Sequence, residues 1–213
     1  MKIYKRLVPF GMIGVLSFLL LDILGEIFWP GYDPVTTYIS TLVTDETPHV
    51  HLMRFFMNTY TICFLVFSSA MMALSFRMYH TFAKSGYTVM FTAALISVIG
   101  YGGYPISMGF VFSKNDIVHV LVTILILCAT ALSLLLISVG YLRQEKLIIL
   151  GRIFLVGFLF FIGFNLWHLY AIQNAGNILG LIERFTFYVF HFLTFILSWG
   201  YTFRRNYLTN PDR

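Results

Sequence analysis

Six apolar runs, each long enough to cross a bilayer as a helix, dominate this 213-residue chain. About 20 apolar residues suffice to span the hydrocarbon core. The runs cover roughly 7–28, 52–76, 87–107, 117–142, 147–171 and 181–203. An average soluble domain is roughly 45–50% apolar and about 25% charged. This chain is 59% apolar and 11% charged, so its surface must be apolar too, which lipid tolerates and water does not. A soluble enzyme, a nucleic-acid-binding module and a disordered tail are thereby excluded. The expected fold is all-α, a single six-helix transmembrane domain over residues 1–213. Lys2, Lys5 and Arg6 precede the first run as they would in a signal peptide. No small-x-small cleavage site follows, so that run reads as a retained helix.

Lys and Arg near helix ends set orientation. Eleven of the fourteen basic residues fall on one side: Lys2, Lys5, Arg6, Arg77, Lys84, Arg143, Lys146, Arg152, Arg204, Arg205 and Arg213. Only Arg54, Lys114 and Arg184 fall on the other. Both termini are therefore expected in the cytoplasm and the 30–51 loop outside. Seven of nine acids and five of six histidines crowd the outer half, although the rule does not require it. The formal net charge of +5 is thus a basic cytoplasmic side minus an acidic outer side. The basic side sets topology and touches anionic lipid; it indicates no nucleic acid.

A charge inside the bilayer normally faces the bundle and finds a partner. Asp22 and Glu26, four apart, share one face of the first helix. His51, Arg54 and Asn58 form a polar stripe on the second, and Arg54 is expected to pair with Glu26 or Asp22. Asp33-Pro34 reads as a cap followed by a first helical position. Val35, Tyr38, Ile39 and Leu42 then make an apolar stripe, so a short amphipathic helix is expected in the first external loop. Thr47-Pro48 repeats the cap pattern, which would start the second helix there and take in His49 and His51. Gly100–Pro105 is expected to loosen or kink the third helix. Asn165 and His168 lie one turn apart on the fifth. Arg184, Tyr188 and His191 line one face of the sixth, with Arg184 expected to offset Asp116, Asp22 or Glu26. For each of these a helix-fixing contact is the ordinary reading and a ligand contact the sharper one.

Asp116 and His119 share a face in the first turn of the fourth helix. With a nearby hydroxyl, Ser40 or Thr41, they are the parts of a nucleophilic hydrolase. No cofactor is expected. A metal is not expected either; its ligands would have to converge from His49, His51, His119, His168 and His191, because no segment has zinc-site spacing. Cys63 and Cys128 sit in apolar runs and read as inert thiols.

The string Tyr32-Asp-Pro-Val-Thr-Thr-Tyr-Ile-Ser-Thr-Leu42 after a first membrane helix resembles the bacterial membrane family called domain of unknown function 998. So do His119 at the head of the fourth helix and Gly180-Leu-Ile-Glu-Arg184 opening the sixth. The resemblance implies a compact six-helix protein of the bacterial plasma membrane, with no established activity to carry over. Asn115-Asp-Ile-Val-His119 also resembles the histidine segment of the androgen-induced integral-membrane hydrolases. That likeness implies a threonine acting with the histidine, for which Thr36, Thr37, Thr41 and Thr44 are candidates.

Three functions follow, in order. The first is an outward-facing polar pocket holding a lipid, peptide or other amphiphile, drawn from Asp22, Glu26, His51, Arg54, Asn58, Asn165, His168, Arg184 and His191. The second is an intramembrane lipid-ester hydrolase using Ser40 or Thr41 with His119 and Asp116. The third is a proton-coupled transporter using Asp22, Glu26 and His191. Membrane lipids are the expected partners in each case.

Overall fold

A computed structural model of the chain describes residues 6–103, 114–174 and 177–203. The described residues are helical or in turns, and six helices are long and apolar enough to cross a membrane. They are α1 (Phe10–Phe28), α2 (Val50–Met78), α3 (Thr81–Gly103), α4 (Lys114–Leu142), α5 (Ile148–Gln173) and α6 (Leu179–Phe203). Five of these begin within about three residues of the apolar runs. α3 begins earlier, at Thr81, because the helix carries its polar first turns, including Lys84, before the apolar run starts. It stays helical through Gly100 as far as Gly103, and Pro105 lies outside the described residues.

Each helix packs on its neighbours in the chain, and α6 returns to α1, so the six close into a ring. Ser198 fastens the closing seam: its Oγ donates to Val8 O at 2.7 Å and accepts from Met12 N at 3.0 Å. Small residues set the tightest approach. A Cβ on Gly140 would lie 2.4 Å from Ala83 N, so only glycine lets α4 close on α3 there.

The two halves of the ring are filled differently. Call the end carrying residues 29–49 the loop end, and the opposite end the tail end. At the tail end one apolar cluster draws buried residues from α2 to α6, among them Phe67, Tyr87, Ile137, Phe154 and Leu197. Two buried tyrosines, Tyr87 and Tyr141, are hydrogen-bonded to each other inside it. Inside a bilayer such side chains hold the helices together by close packing rather than by a hydrophobic gain, because lipid tails are as apolar as they are. At the loop end a smaller cluster comprises Phe18, Leu21, Tyr32, Ile39, Leu42 and Met53, with Phe187 and Tyr188 against it. Among the described residues it draws on α1, the loop, α2 and α6. The loop-end halves of α4 and α5 are nearly free of fully buried side chains: between Asp116 and Ser133, and between Phe161 and Ala171, none is fully buried.

Residues 33–43 form two short pieces. Asp33 Oδ1 accepts from Val35 N at 2.9 Å, and Asp33 O accepts from Thr36 and Thr37 N, making a single turn. A 3-10 helix then spans Ile39–Val43 and buries Ile39 and Leu42. The second helix starts at Val50 rather than at Thr47-Pro48, because His49 adopts a left-handed φ of 57° that no helix propagates.

Candidate functional site

Arg184 organises the loop end. It emerges from the second turn of α6 with only 4% of its surface exposed. Nε and Nη2 donate to Asp22 Oδ1 on α1, at 3.2 and 2.9 Å. Nη1 is shared among the carbonyls of Pro34, Thr37 and Gly180, at 2.6, 2.9 and 3.1 Å. Nη2 also donates to the Tyr32 hydroxyl, and the Tyr188 hydroxyl donates to Asp22 Oδ2. A guanidinium suits this place, since five donors in a planar fork satisfy a carboxylate and several carbonyls together. Arg184 therefore pairs with Asp22, one of its three expected partners.

The rest of the α6 opening grips the same loop. Leu181 N, which has no partner inside the first turn of its helix, donates to Val35 O at 3.0 Å. Glu183 Oε2 accepts from Ile39 N at 2.6 Å. A Cβ on Gly180 would sit 2.3 Å from Thr37 O and 2.8 Å from Pro34 O, so the loop backbone lies directly on that glycine. Tyr38 completes the set by reaching α5, its hydroxyl hydrogen-bonded to His168 Nε2 at 3.2 Å. The two motifs Tyr32–Leu42 and Gly180–Arg184 are thus two faces of one contact.

Arg54 does not meet Glu26 or Asp22. Its Nη2 donates to Asp45 Oδ1 at 2.7 Å and its Nε to Val43 O at 3.0 Å, pinning the far end of the loop at the surface. The loop folds back over the head of α2 and brings Asp45 nearer than either α1 acid. Asp22 is buried while Glu26 is exposed, so the two do not share one inner face. His51 and Asn58 are exposed, and Asn165 is half-buried with Nδ2 donating back to Phe161 O at 2.7 Å.

Thr41 Oγ1 donates to Tyr38 O at 2.7 Å, and Ser40 is half-buried beside it in the 3-10 turn. That turn packs on α1, α2 and α6. Asp116 is buried at the head of α4, and His119 lies 4.8 Å, ring to ring, from Tyr101 on α3. The hydroxyls and the imidazole therefore sit against different helices. Among the described residues no group of three or more His, Cys, Asp or Glu side chains is placed to hold a metal ion. Cys63 is buried, Cys128 exposed, and neither is in a disulfide.

His191 lies deeper, 2% exposed, between the rings of Phe18 at 4.1 Å and Tyr60 at 5.0 Å. Its Nδ1 is 2.6 Å from Phe187 O. A carbonyl only accepts, so Nδ1 carries the hydrogen, and in the neutral ring Nε2 is an acceptor. Nε2 is buried without a hydrogen-bond partner.

Several residues in this arrangement were not singled out by the sequence. Glu183 and Tyr32 stand in the two family-like strings without a role of their own, and Tyr60 and Tyr101 lie within apolar runs. The available signal was adjacency: a second acid beside Arg184 turns ~100° around the helix and must find a different neighbour. In the loop, burial pushes the Tyr32 phenol up to about 12, outweighing the Arg184 cation beside it. Burial likewise raises Tyr38, with the Glu183 charge adding to it.

An apolar groove of about 370 Å³ lies elsewhere, on one face of α5, lined by Val156, Leu159, Phe160, Gly163, Phe164 and Trp167. It offers no charged or hydroxyl group and is separate from the polar cluster.

The sequence model of one family, described as Protein of unknown function (DUF998), matches residues 12–200. The chain belongs to this family. The match takes in nearly all of α1, the loop, and nearly all of α6, hence the entire Tyr32–Leu42 and Gly180–Arg184 contact. No curated protein and no solved structure matches the chain. With six helices able to cross a membrane, this DUF998 member is a multi-pass membrane protein.

Proposed function

We propose that the loop-end half of the helix ring holds an amphiphile, entered from the outer leaflet. The observation that supports this most directly is the uneven filling of the ring. All but one of the helices send buried side chains into the tail-end core, whereas the loop-end core is supplied by α1, the loop, α2 and α6. The loop-end turns of α3, α4 and α5 instead carry half-buried polar side chains: Tyr101, Thr123, Asn165 and His168. Half-burial of polar groups on helices otherwise clad in lipid is the pattern of a ligand site with an apolar body and a few placed polar groups. The solid tail end argues for a site that stops part-way, and so for binding ahead of transport. The basic-residue asymmetry turns the loop end outward.

The test is lipid analysis of protein purified gently in a mild detergent. A specific amphiphile should accompany the wild-type chain at a fixed ratio. Thr123→Phe, which adds bulk where Thr123 Oγ1 meets the Tyr101 hydroxyl at 3.1 Å, should lose it while remaining folded. Identical lipid content in both proteins would refute the reading.

A further inference from the structure

We infer that the tail end of the ring, opposite the pocket proposed above, binds the phosphate of an anionic lipid headgroup, with the Arg143 guanidinium on the Phe82 ring as its anchor. Two turns of the chain meet there, one joining α2 to α3 and the other, with its short 3-10 stretch Glu145–Leu147, joining α4 to α5. Gln144 ties them together: its Nε2 donates to Met78 O at 3.2 Å and its Oε1 accepts from His80 N at 3.5 Å. The tie gathers charges that the sequence distributes between the two turns. Arg77, His80 and Lys84 flank the first, and Arg143, Lys146 and Arg152 the second. Among the described residues Glu145 is the single acid at this end.

Arg143 is placed to use that charge. Its Cζ lies over the Phe82 ring, 4.5 Å from the centre, and the His80 imidazole stacks on the same ring at 5.5 Å. One ring thereby fixes both an arginine and a histidine. His80 Nδ1 accepts from Phe82 N at 3.3 Å, so Nε2 carries the ring hydrogen and is a donor. A guanidinium laid on a ring keeps its N–H edge for a bidentate partner such as phosphate. Among the described residues this guanidinium has no ion pair and no hydrogen bond, and Arg143 is exposed. The neighbours decide which anion it takes. Apolar side chains stand exposed beside the cations: Phe76 precedes Arg77, Phe82 carries the guanidinium, and Ile149 shares a helix face with Arg152. Within one turn the apolar groups call for hydrocarbon and the cations for an anion, and a phospholipid supplies both. These are the ends of helices able to cross a membrane, where headgroups lie. The general attraction of a basic face for anionic lipid depends on its charge alone. A stacked guanidinium makes one position count for its shape as well.

Native mass spectrometry of the full-length protein in mild detergent tests the site with three probes: dioleoylphosphatidylglycerol, dioleoylglycerol and glycerol 3-phosphate. The phosphatidylglycerol should be retained one to one, and dioleoylglycerol, which has the chains without the phosphate, should not. Arg143→Gln should weaken retention roughly ten-fold. Arg143→Lys keeps the charge but not the planar fork and should weaken it roughly five-fold. Phe82→Leu keeps every charge and an apolar side chain but removes the ring, and should weaken it roughly three-fold. Undiminished retention by Arg143→Gln overturns the site. Full retention by Arg143→Lys and Phe82→Leu overturns it too, since net charge alone would then draw the lipid. Equal retention of dioleoylglycerol, or no retention of phosphatidylglycerol, does the same. Glycerol 3-phosphate should bind far more weakly than the lipid; equal binding would make the ligand a soluble phosphoester and overturn the lipid assignment. Arg143 and Phe82 are both exposed, so their replacement leaves the core intact, and should one variant fail to fold the other decides alone. None of these outcomes touches the amphiphile reading, which concerns the other end of the ring and is tested by Thr123→Phe.

Discussion

Replacing Arg184 by Met should be the most damaging single substitution at the loop end. The change keeps the length and apolar stem of the side chain but deletes every donor. Asp22 loses both hydrogen bonds from the guanidinium and is left a buried carboxylate with only the Tyr188 hydroxyl. Breaking a buried pair from one side costs about 3–5 kcal/mol. The carbonyls of Pro34, Thr37 and Gly180 lose their shared donor as well, which brings the total to about 4–6 kcal/mol. For a chain of this length each kcal/mol moves the midpoint by about 2–4 °C, so Tm should fall by about 10–20 °C. Heating the detergent-solubilised protein and measuring the surviving monodisperse fraction gives that number. The double variant Asp22→Asn/Arg184→Met removes the orphaned charge but not the orphaned carbonyls, so it should recover about half of the loss. A single variant as stable as wild type would refute the clamp. A double variant no better than the single would show that the unpaired carboxylate is not the source of the cost.

Other positions separate the contributions further. Gly180→Ala drives a methyl onto the backbone oxygens of Thr37 and Pro34, which cannot swing aside as a side chain would; a loss of about 3 kcal/mol and faster proteolysis within residues 30–49 are expected. Arg54→Ala breaks an ion pair whose partners are 39% and 85% exposed, so Tm should move by no more than the equivalent of about 0.5 kcal/mol. Tyr32 gives a pH test. Its phenol is held neutral up to about 12 when folded, against an ordinary 10.0 when unfolded. The stability it contributes is complete below pH 10 and is lost as the pH rises toward 12, because the unfolded chain releases that proton first. Tyr32→Phe should therefore flatten the alkaline decline in Tm over that window, and an unchanged slope would show that Tyr32 does not titrate there.

Helix number and position were legible because lipid imposes a one-dimensional rule: apolar length along the sequence. The start of α3 departed from its run because polar residues at a helix end cost nothing where they reach water, so hydropathy does not mark them. The partner of Arg54 differs from the expected Glu26 or Asp22 for a three-dimensional reason. Helical periodicity relates helix faces to one another and says nothing of where a loop side chain folds, yet Asp45 in the loop reaches the guanidinium at 2.7 Å. The loop itself was expected as one amphipathic helix. Its carbonyls at Pro34 and Thr37 are instead turned toward Arg184, and a helix continuous from Pro34 would have spent both on its own N–H groups.

Glu183 and Arg184 show why adjacency matters more here than either residue type. Successive residues on a helix diverge by about 100°, so a neighbouring acid and base cannot both face the same partner. Arg184 turns to α1 and the 32–37 segment; Glu183 turns to the backbone N–H of Ile39. The pair thereby holds the loop at two points, one with a cation and one with an anion.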